Sequence, residues 1–270
     1  KTLKEANPII KIGDEDSRKD LTGGIIFYEH PDKDNLPEPS FDRPLYRVVY
    51  DQVAKDGEGT SLCSILVYKG LGSWKPEALK HTIVAEWIGR YELLEDNHDM
   101  AFRLAAYYNA KIFVEANLTD CIRYAIKTQR FHMLQPRFSK DGRDLKKKMY
   151  DVGWVVGPQD IPTYEKYAEE MFKMVIEPAT TAMNENIVVD VPAKKFYDGL
   201  YSIRLMQEAI NYRRDGNFDH ISSFFGLALW LRMEEDQEIQ SKAKPPDKNQ
   251  DLRGYIEKVT SVSQNSAFSY

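Results

Sequence analysis

Apolar residues along this chain recur in two rhythms, and the change between them organises the sequence. Tyr46-Arg47-Val48-Val49-Tyr50 is a dense run of β-branched and aromatic residues ending on Asp51, which predicts a strand. The Gly- and Asp-containing segment 55–59 predicts a turn, and a second strand over 60–68 makes the pair a β-hairpin. Residues 83–88 supply a third strand, so the opening reads as an antiparallel meander. The period then lengthens: Met100, Ala101, Leu104, Ala105 and Tyr108 recur at helical spacing. A short apolar strand over 112–115 follows, then a helix marked by Leu118, Ile122, Ala125 and Ile126, then a last strand over 131–134. Strands separated by helices at this spacing imply parallel crossovers. The predicted fold class is therefore α/β, a mixed sheet of an antiparallel meander plus two parallel strands, flanked by helices.

Three further helical stripes follow. The first carries Tyr164, Tyr167, Met171, Val175 and Ile176 and stops before Pro178. The second carries Phe196, Leu200, Ile203, Met206 and Ile210, and the third Ile221, Phe224, Phe225, Ala228 and Leu229. Residues 1–43 are charged and broken by Pro8, Pro31, Pro37 and Pro39, with strand character only over 24–28. They read as an arm or a linker from an upstream domain. Residues 44–236 read as the folded domain, and 237–270, with Pro245-Pro246 and a Ser/Asn/Gln-rich end, as a disordered tail.

Composition narrows the class. At 270 residues and 42% hydrophobic, the chain can bury a full core, and disorder of the whole is excluded. The longest apolar run, 224–231, is far short of the roughly 20 residues a spanning helix needs, so no membrane role is expected. Two cysteines, Cys63 and Cys121, make no disulfide framework and suggest a reduced, cytoplasmic setting. The chain begins at Lys1 without Met, which reads as an excised domain or processed fragment. A net charge of −5 does not hold a chain on nucleic acid by bulk attraction. Any such role needs a local basic face or metal ions.

Three acids stand out by position. Asp51 ends the first strand of the meander, Glu115 ends the strand that follows the first helix, and Asp219 opens the last helix within Gly216-Asn217-Phe218-Asp219-His220. Acids at strand ends point to the sheet edge where α/β folds bind ligands. Clustered carboxylates repel by about 4 kcal/mol per pair at 4 Å and an effective dielectric near 20, so they call for a cation. Hard oxygen ligands suit Mg²⁺ or Mn²⁺. The plainer readings are a turn acid for Asp51 and a helix N-cap for Asp219.

Other chemistries lack support. There is no G-x-x-x-x-G-K-[ST] loop, no G-x-G-x-x-G after a strand, and no zinc spacing among the five histidines. His220 is read either as a neighbour of metal-bound water or as a core residue. Arg130, Arg137, Lys140, Arg143, Lys146, Lys147 and Lys148, interleaved with Phe131, Phe138 and Tyr150, form a basic strip, with Arg213 and Arg214 just before the third acid. The strip is either a solvated face or a grip on a phosphate backbone.

From about Tyr46 to Trp230 these segments resemble the C-terminal nuclease domain of the large terminase subunit of tailed bacteriophages. Tyr46 to Asp51 with the Gly-rich turn resembles that family's first strand and first catalytic acid, and Val84-Ala85-Glu86-Trp87-Ile88-Gly89 its "VAEW.G" strand. Leu104-Ala105-Ala106-Tyr107-Tyr108-Asn109-Ala110 followed by Ile112-Phe113-Val114-Glu115-Ala116-Asn117 resembles its "lA.yYN.a...vE.N" segment. Gly216-Asn217-Phe218-Asp219 resembles its third acid. The chain departs at Thr119-Asp120, where the family often has Gly, and at Phe218-Asp219, where it often has two acids.

The resemblance implies a ribonuclease-H-like fold and a two-metal endonuclease (Mg²⁺ or Mn²⁺) that cuts concatemeric double-stranded DNA during packaging. It places the protein in the cytoplasm of the infected bacterial host. Asp51 would bridge two ions, with Glu115 and Asp219 each completing one site. The implied partners are DNA, the terminase ATPase domain, the portal protein and the small terminase subunit. Two alternatives stay open: a docking module of the packaging motor with little cleavage of its own, and another ribonuclease-H-like nuclease such as a resolvase or transposase.

Overall fold

The computed structural model describes residues 23–31, 45–53, 61–70, 81–137, 151–176 and 194–243. The chain divides into two units, residues 1–233 and 234–270, and everything that follows concerns the first unit except the last turns of its final helix. The core is a five-stranded mixed sheet in the order β1-β4-β3-β2-β5, built from β1 (Ile26–Phe27), β2 (Tyr46–Asp51), β3 (Cys63–Lys69), β4 (Thr82–Gly89) and β5 (Lys111–Val114). Strands β2, β3 and β4 form the expected antiparallel meander, and β5 lies parallel to β2.

Strands β3 and β4 are buried at every position, and β2 at all but its last. This explains their unbroken apolar runs, because helices cover both faces of the sheet. Side chains alternate between those faces. Val48, Tyr50, Ile112 and Val114 pack with Phe102 and Ala105 of α1 (Leu94–Tyr108) and with Ile122 of α2 (Asp120–Lys127). Val49, Leu66 and Phe113 face the other way. There they meet Tyr164 and Met171 of α3 (Ile161–Lys173), Leu205 of α4 (Ile203–Asn211), and Phe224 and Trp230 of α5 (Asp219–Ala243).

Three expectations are corrected. Residues 131–134 are not a strand: Phe131–Met133 is a 3₁₀ turn, and only Leu134 bridges in parallel to Ile112. A short apolar run cannot be assigned by periodicity alone. Among the described residues the sheet therefore has one full parallel strand, not two. Val175–Ile176 leaves the helix and forms β6, paired with β7 (Lys194–Lys195), as its β-branched pair favours. The stripe from Phe196 to Ile210 is split into a 3₁₀ turn, Phe196–Gly199, and α4, because the Ser202 hydroxyl caps α4 by accepting from Leu205 N at 3.0 Å. The strand character expected over 24–28 is present as β1. It adds an edge strand against β4, and the Tyr28 hydroxyl donates to Glu86 Oε1 at 2.9 Å. Helix α5 runs on to Ala243, past the end of its apolar stripe. The turn at 55–59 and the tail from 244 onward lie outside the described residues.

Candidate active site

Register and parity bring the first two acids together. Val49 pairs with Phe113 across the parallel β2–β5 ladder, and Glu115 N continues it by donating to Tyr50 O at 3.0 Å. Asp51 and Glu115 each lie two residues beyond a residue that faces α5, so both carboxyls emerge on that face at the same end of the sheet. Gln52 fixes the second against the first. Its Nε2 donates to Glu115 O at 2.7 Å and to Leu118 O at 2.9 Å, while its Oε1 accepts from Cys121 N at 3.2 Å.

The third acid arrives from across the fold. Asp219 opens α5, yet it does not cap that helix. Glu208 of α4 does so, its Oε2 accepting from His220 N at 2.9 Å and Ile221 N at 3.2 Å. Asp219 Oδ2 instead accepts from Leu62 N at 3.2 Å, at the start of β3 and next to the end of β2. One turn on, on the same side of α5, the Ser222 hydroxyl hydrogen-bonds Asp51. The helix start is held from behind by His220, fully buried, whose Nδ1 lies 2.6 Å from Ser64 Oγ and whose Nε2 stands 3.6 Å from Glu86 Oε2.

The electrostatics register the crowding. Burial first, then the hydrogen bond and charge of Glu115, then the charge of Asp219 hold the Asp51 carboxyl well above the usual range, and Ser222 offsets part of this. Burial pushes Asp219 up to about 6, with the Leu62 amide pulling the other way and Glu208 adding to the rise. The Asp51 and Glu115 carboxyls are hydrogen-bonded to each other. Among the described residues, no three or more His, Cys, Asp or Glu side chains are gathered tightly enough, as they stand, to hold a metal ion. The donors around Asp51 are nonetheless all hard oxygens, and a divalent cation is the species that would relieve their repulsion. In that chemical sense the residues fit Mg²⁺ or Mn²⁺.

A cleft of about 170 Å³ opens beside Glu115 and Ser222, walled by Trp154, Tyr212, Arg214 and Phe218. Its outer wall exists because residues 152–154 add to the free edge of β5, where Ala116 N donates to Trp154 O at 2.6 Å and Trp154 N to Val114 O at 2.9 Å. Gly153 permits that approach. Its φ is +65°, and a Cβ there would sit 1.9 Å from Val114 O.

Other candidates fall elsewhere. His220 is enclosed behind the acids rather than facing them, and burial, then Arg204, lowers its imidazole to about 3, so it is neutral. Ser64, His220 and Glu86 have the residue types of a nucleophilic triad, but at most 1% exposure leaves no access for a substrate. Cys63 and Cys121 are buried and unbridged. Of the basic strip, Arg130 pairs with Asp99 at 2.7 Å and Arg137 reaches Gly153 O. Lys140, Arg143, Lys146, Lys147 and Lys148 lie outside the described residues. Arg214 is held by Glu165, with Nε to Oε1 at 2.8 Å.

Gln52, Ser222 and Glu208 are the contributors that sequence reasoning missed. Ser222, three residues after Asp219 on the same helical side, carried a usable signal; the long-range partners of Gln52 and Glu208 left none. No protein-family model matches this chain, and no curated protein matches it.

Proposed function

We propose that this chain is a divalent-cation-dependent endonuclease acting on DNA, with Asp51, Glu115 and Asp219 as the metal-holding acids. Its role would be to cut concatemeric phage DNA during packaging, as the resemblance to large-terminase nuclease domains implies. One observation carries the chemistry. The Asp51 carboxyl is hydrogen-bonded to Glu115 and lies in the field of Asp219, while the cap that would otherwise occupy Asp219 is supplied by Glu208. A meander followed by a parallel strand also agrees with a ribonuclease-H-like arrangement, although that finer assignment rests on the resemblance.

Each residue then has a role. Bound divalent ions would acidify the attacking water and neutralise charge on the phosphate. Asp51, hydrogen-bonded to Glu115 and in the field of Asp219, would be the central ligand. Gln52 holds Glu115 to the end of β2, and the Leu62 amide orients Asp219. Ser222 steadies the Asp51 carboxyl. Arg214 places a fixed positive group on the substrate side. No histidine base is required, since the phosphate chemistry is positioning and charge stabilisation.

The test is incubation with supercoiled plasmid in Mn²⁺, with and without EDTA, beside Asp51→Asn. Nicking or linearisation that chelator abolishes and Asp51→Asn loses supports the reading. Cleavage indifferent to both, or no cleavage of any DNA form, rejects it and favours the docking-module alternative.

A further inference from the structure

We infer that the cleft beside Glu115 is a subsite for a single unpaired nucleobase, so that the protein prefers DNA in which a nucleotide near the cut is unstacked over fully paired duplex. The inference rests on the nuclease reading above and deepens it by naming the substrate class.

Position is the first ground. Glu115 and Ser222 line the cleft, and both hydrogen-bond Asp51, so a group seated there is the immediate neighbour of the carboxylates. Chemistry is the second. Trp154, Tyr212, Phe218 and Phe225 present aromatic surface to the cleft, and Arg214 is the cationic residue among the described residues that line it. A strip that tracks a phosphate run needs several cations, whereas rings with one guanidinium suit a flat, uncharged heterocycle. Size is the third. About 170 Å³ is well below the 300–1,000 Å³ typical of pockets for drug-sized ligands, and it accommodates one ring system.

The walls are also set in advance. The Tyr212 hydroxyl donates to Glu165 Oε1 at 3.1 Å, and its ring meets Phe218 at 5.5 Å and Phe225 edge-on at 5.6 Å. The same Glu165 carboxylate holds Arg214. On the opposite side the Asn117 side chain clasps Val156, donating to its O at 2.7 Å and accepting from its N at 2.8 Å. Two clamps thus fix the two sides of one slot. A base inside a duplex cannot enter it without first leaving the stack, and that step is least costly where the base is already unpaired.

The test uses the full chain in EDTA, so that nothing is cut, with oligonucleotides carrying 2-aminopurine in a single-stranded tail, in a fork or in a paired stretch. The expected result is tighter binding, with a fluorescence change, for tail and fork over duplex. Tyr212→Ala should erase five- to a hundredfold of that preference, the span that one stacking contact provides. Arg214→Gln, at an exposed position, should reduce it too, and serves should Tyr212→Ala fail to fold. Equal binding of all three forms, or a preference untouched by Arg214→Gln and by folded Tyr212→Ala, overturns the subsite. Plasmid cleavage in Mn²⁺ keeps the two readings apart: cleavage without a preference for unpaired bases sinks the subsite alone, and a preference without cleavage sinks the nuclease alone.

Discussion

Asp219 shows how much a single carboxyl can report. Its value of about 6, against an ordinary 3.8, means the folded protein holds a proton that the unfolded chain releases. The stability linked to that proton is fully present below about pH 3.8 and is lost as pH rises through 6. Metal-free protein should therefore melt lower at pH 7.5 than this group would allow at pH 4. Asp219→Asn removes the ionisable group without removing a cap, because Glu208 supplies the cap. In EDTA at pH 7.5, Asp219→Asn should be as stable as wild type or more so, by up to about 2 kcal/mol, roughly 4–8 °C in melting temperature. Its melting temperature should also depend less on pH between 4 and 7.5. A clear loss of stability at pH 7.5 would return Asp219 to a structural role.

At the scale of elements, the first amides of α5 are capped by one side chain from α4. Glu208→Ala leaves two helix amides uncapped and Arg204 without its partner at 3.5 Å. It should cost about 1–3 kcal/mol in denaturant unfolding and, by loosening Asp219, lower cleavage more than a surface control such as Glu170→Ala. The 152–154 edge is similarly narrow in tolerance. Gly153→Ala meets both a positive φ and the Val114 carbonyl, so it should destabilise by more than about 1 kcal/mol and disturb the Trp154 wall. These elements also mark where sequence is informative. The meander and the strand-end acids Asp51 and Glu115 were readable because a run of β-branched and aromatic residues ending in a carboxylate is a local signal. The break between Phe196 and Ile203 was not, since Leu200 and Ile203 kept the helical spacing while Ser202 ended it through a hydrogen bond to Leu205. Nor was the Tyr28–Glu86 contact, which joins residues 58 apart.

For the molecule as a whole, the proposed function meets a net charge of −5, so any attraction to DNA would fall to bound cations and the basic strip. Mn²⁺ at a hundredfold excess over its dissociation constant should raise stability by about 2.7 kcal/mol, reversed by EDTA, if only the folded chain binds it. Reversing the charges of Lys146, Lys147 and Lys148 should flatten the salt dependence of duplex binding by roughly 0.9 per lost phosphate contact, and an unchanged slope would mark them as a solvated face. The placement of the third acid on α5 has a further consequence, in time rather than space. The sheet that bears Asp51 and Glu115 lies early in the chain, whereas Asp219 follows Asp51 by 219 − 51 = 168 residues. At 5–20 residues per second a ribosome takes roughly 8–34 s to cover that interval. Across it, a nascent chain owns first one and, from Glu115 onward, two of the three acids, and lacks both Ser222 and the helix that delivers the last. On the nuclease reading, a chain assembled in this order should stay inert on the ribosome until its final helix has emerged.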